Sequence, residues 1–61
     1  MDRKELSAYG KIVKADLIDA QTVVNRLARS GVRGRQLRTA QLLRNRHRDE
    51  LDKILRMLNP A

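Results

Sequence analysis

The sequence has no cysteine, so no disulfide can staple the chain and thiol chemistry is excluded. It has one proline, at position 60, and three glycines, at positions 10, 31 and 34. Such a shortage of backbone breakers leaves long stretches free to be helical. Tyr9 is the single aromatic residue, so there is little on which to stack the bases of a single strand. No apolar run approaches the roughly 18–20 residues that a membrane span needs, and the first residues lack the apolar core of a signal peptide. A soluble, cytoplasmic protein without membrane attachment is expected.

The inventory for catalysis is equally thin. There is one histidine, and no pair of carboxylates falls on a cleft-like element, so enzyme activity is not expected. His47 and Glu50 stand three residues apart on one helical face, but a metal site needs three or four ligands. No metal and no cofactor is expected.

What the chain does have is Leu, Ala, Arg, Lys, Gln and Glu in helical order. Asp2 followed by Glu5 has the spacing of a capping box. Leu6, Tyr9, Val13, Leu17, Ala20, Val24 and Leu27 then recur at spacings of three and four, the stripe of an amphipathic helix. Ile12 and Val23 widen this stripe on one flank and Ala28 on the other, a width that suits a helix with two neighbours. Gly10 lies inside the helix and predicts either fraying or a close approach. Ser30-Gly31 is a helix stop with Gly31 as the left-handed residue, and Gly34 permits a second turn.

A second stripe follows: Leu37, Ala40, Leu43, His47, Leu51, Ile54 and Leu58, with Leu55 alongside. Pairs Arg46–Glu50, Arg48–Asp52, Asp49–Lys53 and Asp52–Arg56 support the helix at i,i+4 spacing, and Asn59-Pro60 ends it. The predicted fold is all-α: a single antiparallel two-helix hairpin, with helix one about 2–29, a turn about 30–34 and helix two about 35–58. Folded at the turn, Val13 lies level with Leu51 and Leu17 with His47. Asp16 then sits on the apolar arc near Arg44, His47 and Arg48, and a pairing with one of them is expected.

A hairpin of this size, without disulfide or metal, buries too little apolar surface to offset its ordering entropy. It is therefore expected to dimerise into a four-helix bundle. This architecture is similar to that of small plasmid-encoded RNA-binding regulators, a likeness of fold that carries no residue across.

Charge is distributed unevenly along the chain. From position 20 to position 48 there are eight arginines and no acid, a local charge of +8, while the other 32 residues hold six cations and seven acids. Folding places this charge at the turn end of a rod, with Asp2, Glu5, Asp49, Glu50 and Asp52 towards the other end. An antiparallel dimer would set basic ends beside acidic ones. Arginine binds phosphate bidentately and reads guanine edges. Nucleic acid, RNA or DNA, is the expected partner of a small regulatory protein whose binding residues are Arg29, Arg33, Arg35, Arg38, Asn45 and Arg46. The alternative is a helical adaptor or inhibitor. It would dock on a larger protein through Leu42, an apolar residue on the outward face between Arg35 and Arg46.

Overall fold

The computed structural model describes residues 2–59. Two helices, α1 (Arg3–Arg29) and α2 (Arg35–Leu58), pack antiparallel into a rod of 43 × 17 × 16 Å, with no strand among the described residues.

Local chemistry sets each end. The Asp2 side chain accepts from the Glu5 backbone N–H at 2.7 Å, satisfying one of the orphan donors of the first turn. At the other end of α1, Val32 N–H reaches the Leu27 carbonyl at 3.0 Å and Gly31 N–H the Ala28 carbonyl at 3.2 Å. With Gly31 at φ 77, these two bonds make a Schellman motif, in which a residue other than glycine would be strained. Gly34, at φ 84 and ψ −137, turns the chain into α2. Asn59 closes α2 through its N–H to the Leu55 carbonyl at 2.9 Å, while Pro60 lies outside the described residues. The Arg3 guanidinium donates to the Leu58 carbonyl at 2.7 Å and ties the two chain ends together.

The core is thin. Among the described residues, Val13, Ala20, Val24 and Ile54 are its buried apolar side chains, and no large side chain is fully enclosed. Gly10 is buried because α2 comes close there: a β-carbon at this position would stand 3.2 Å from Ile54 Cγ2. Of the two alternatives that Gly10 offered, close approach is the one realised. Leu6, Leu17, Leu27, Leu37, Ala40, Leu51 and Leu58 are half-buried along the same seam.

The widened part of each stripe stays outside this seam. Tyr9, Ile12 and Val23 of α1 are exposed, as are Leu43, Leu55 and Met57 of α2. Helix two offers α1 one neighbour, and a flank more than a quarter-turn from it remains in water. None of the four i,i+4 ion pairs is among the side-chain hydrogen bonds of the described residues. Glu50 accepts from the Tyr9 hydroxyl across the hairpin instead.

Candidate functional site

The turn brings two helix ends of opposite polarity side by side. The carbonyl end of α1 carries Arg26 and Arg29 in its last turn, where cations are favoured by the helix dipole. Ser30 caps this end through its hydroxyl, which donates to the Arg26 carbonyl at 2.9 Å. Beside it begins α2, whose first backbone bond runs from Arg38 N–H to the Gly34 carbonyl at 3.0 Å. The N–H groups of Arg35, Gln36 and Leu37 therefore have no partner within the helix. No side chain caps them, and the first turn of α2 contains no acid.

This second end is electrostatically inverted relative to the usual arrangement. Acidic side chains belong at a helix N-terminus, where unpaired N–H groups make about half a positive charge. Here Arg33, Arg35 and Arg38 surround it, all three exposed. With Arg29 they form a cationic end of the rod that presents both guanidinium groups and backbone donors. Such a combination binds phosphate or carboxylate oxygens.

The remaining expected contacts lie apart from this cluster. Arg46 is eleven residues beyond Arg35, about 16 Å along the helix at 1.5 Å per residue. It lines a shallow depression on the outer face with Leu42, Asn45, Asp49, Glu50 and Lys53. Cations and acids are mixed there, so Arg46 stands outside the purely basic region. Asn45 is half-buried and committed: its Oδ1 accepts from Arg44 Nη2 at 3.0 Å and from Arg44 Nε at 3.2 Å. Leu42 is 62% exposed and is the apolar residue among those that line the depression.

Asp16 requires a correction. It makes no side-chain hydrogen bond with Arg44, His47 or Arg48 among the described residues. Arg44 donates to Asn45 and, at 3.4 Å, to Gln21 Oε1. Asp16 is exposed, so its carboxylate carries no burial penalty that a partner must offset. It shares a shallow depression with Asp19, Ala20, Val23, Leu43 and His47. His47 is half-buried, and its Nδ1 is buried without a hydrogen-bond partner. Arg48 is exposed on α2.

Two polar residues that the stripes do not single out hold the opposite flank. Gln21 accepts from Arg44, and its Nε2 donates to Asn25 Oδ1 at 2.9 Å, so Asn45, Arg44, Gln21 and Asn25 form one chain of bonds. The i,i+4 spacing of Gln21 and Asn25, level with Arg44 in the hairpin, is the signal that would have found them. Near the open end, the bond to Glu50 holds the Tyr9 phenol above its usual 10.0, with desolvation and the charges of Glu50 and Asp16 acting the same way.

Among the described residues there is no group of three or more His, Cys, Asp or Glu side chains that would hold a metal ion. No helix is long and apolar enough to cross a membrane. Comparison with protein-family models, with curated protein sequences and with solved structures returns no match.

Proposed function

We propose that this chain is a small nucleic-acid-binding regulatory protein of the cytoplasm. It works by binding rather than catalysis, as a homodimer built into a four-helix bundle, and grips phosphates through its turn end and the outer face of α2. One observation carries the reading. Arg26 and Arg29 are explained by the dipole of α1, but Arg35 and Arg38 crowd the positive end of α2, where they cost stability. Residues placed against their own electrostatics are accounted for by a ligand that reverses the balance, and a phosphate does so.

Residue choice supports the same conclusion. Every cation from position 20 to position 48 is arginine, whereas all four lysines, Lys4, Lys11, Lys14 and Lys53, lie in the other half. A chain that merely used arginine for every solvated charge would show no such division. The planar fork of arginine, which pairs with phosphate oxygens two at a time, is concentrated towards the end that carries the free helix donors, with Arg3 and Arg56 the two arginines outside this stretch.

The test is a gel-shift titration over a range of salt concentrations with duplex DNA and with a structured RNA. Log affinity is expected to fall by about 0.9 per phosphate neutralised on a B-form duplex. The triple substitution Arg33→Ala, Arg35→Ala, Arg38→Ala should remove the shift while circular dichroism stays helical. Unchanged binding by that variant would sink the proposal.

A second reading rests on Leu42, whose 62% exposure above a mixed-charge depression is the shape of a small protein anchor. In that case Leu42→Asp ends capture of a protein partner from lysate and nuclease treatment does not. Release by nuclease alone decides for nucleic acid.

A further inference from the structure

We infer that a second copy of this chain packs antiparallel on one side of the hairpin. The occupied face is built from Tyr9, Ile12 and Val23 of α1 and Leu43 and Met57 of α2. The inference rests on the self-association in the proposal above and is independent of its nucleic-acid part.

The first argument is area. The chain exposes 5118 Å² for a mass of 7.0 kDa. A compact monomer of that mass exposes about 4,000 Å². The excess, roughly 1,100 Å², is of the size that each partner contributes to a standard interface, about 800 Å².

The second argument locates that area. Val23 and Leu43 line one depression together with Asp16, Asp19 and His47. Tyr9 and Met57 line another with Glu50 and Ile54. Tyr9, Ile12, Asp16, Asp19 and Val23 form one i,i+3/i+4 row of α1, so both depressions lie along the same side of the rod. The other side carries the Asn45–Arg44–Gln21–Asn25 chain, whose polar groups satisfy one another. One flank is thus internally bonded and the other is apolar at both ends.

The third argument is spacing. Tyr9, Asp16 and Val23 are seven residues apart, and so are Leu43, Glu50 and Met57. A seven-residue period marks a helix seam that meets another helix. Each row reads apolar, acidic, apolar, and is therefore unchanged in character when turned end for end. A two-fold axis at the level of Asp16 and Glu50 lays Tyr9 on the partner's Val23 and Leu43 on the partner's Met57. Charge selects the antiparallel direction. It separates the two basic turn ends and sets each beside the partner's Asp2 and Glu5, whereas a parallel pair would press them together.

Sedimentation equilibrium of the full chain should give about twice the 7.0 kDa of one copy. Val23→Asp should yield monomer, while Ile18→Asp, the same charge placed on the back of α1, should remain dimeric. Cross-linking supplies a second readout that does not depend on placing a charge beside the hairpin's own core. The chain has no native cysteine to interfere. Asp16→Cys alone should form an intermolecular disulfide at the axis, and Tyr9→Cys should form one only when mixed with Val23→Cys. Tyr9→Cys by itself should not, because two copies of that position lie about 21 Å apart along the rod, beyond disulfide reach. A monomer at all concentrations overturns the inference, and so does a disulfide between Val23→Cys and Leu43→Cys, which marks parallel packing. A monomer that still shifts nucleic acid defeats this inference alone. A cross-linked antiparallel dimer without a shift defeats only the nucleic-acid reading.

Discussion

The two ends of this hairpin are built by opposite rules. At the open end Asp2 caps α1, Arg3 ties down the Leu58 carbonyl of α2, Tyr9 bonds Glu50, and Gly10 lets Ile54 approach closely. Each of these four contacts is made within the chain. At the turn end α2 begins without a cap, its first turn holds arginines in place of acids, and Arg29, Arg33, Arg35 and Arg38 are all exposed. Cohesion is concentrated at one end and unmet interaction at the other. In a rod this small, the two cannot share a location: groups that satisfy one another have nothing left for a ligand.

The contrast is broken most forcefully from the cohesive end. Ile54 is 4% exposed and packs on Gly10, so Ile54→Ala should destabilise the hairpin by about 2–5 kcal/mol in chemical denaturation. Arg38→Ala at the turn end should stay within about 0.5 kcal/mol. A smaller effect separates the two turn glycines from the rest of the chain. At Gly34, with φ 84 and ψ −137, a side chain is strained although nothing lies within 4 Å of its β-carbon. Gly34→Ala should therefore cost about 1–3 kcal/mol through the backbone alone. A neutral result there would show that the turn relaxes freely and has no fixed geometry to offer a ligand.

The Tyr9–Glu50 bond tests cohesion by pH. It favours the neutral phenol, so the folded pKa is raised above the ordinary 10.0. The stability it contributes is complete below that ordinary value and is lost as pH rises through the folded one. Ultraviolet titration should show the phenol ionising above 10.0, and Glu50→Gln should bring it back towards 10.0. Titration at the ordinary value in the native chain would remove this bond from the cohesive set.

The sequence made the hairpin readable because helix ends carry their signals locally. Asp2 acts on a backbone N–H three residues away, and Ser30-Gly31 close α1 by bonds that span only a few residues. The cationic end was readable for the same reason, since eight arginines without an acid need no tertiary information. What a helical wheel lacks is the identity of the neighbour. It places Asp16 on the apolar arc, but only the packing shows that this flank of α1 faces water. It also places Arg44 near Asp16, whereas the closest acceptors in space are Asn45 and Gln21. The inverted start of α2 was hidden differently: Gly34 has no side chain with which to cap, but that it is the residue flanking the first turn shows only in the bond from Arg38 N–H to its carbonyl.

The smallest effect is the most discriminating, because it should change sign between two measurements. Arg35 sits in the first turn of α2 against free backbone donors. An acid there would complement the helix dipole, so Arg35→Glu should raise stability by about 0.3–1 kcal/mol in urea denaturation at low salt. The gain should shrink as salt screens it. The same substitution removes a phosphate ligand and adds a repulsive charge, so affinity for nucleic acid should fall and its salt slope should become shallower. A residue kept only for solvation would show the gain without the loss of affinity. One kept for stability would show a loss in the denaturation curve. Gain in the first measurement with loss in the second is the mark of a residue held against the interest of its own helix for the sake of a ligand.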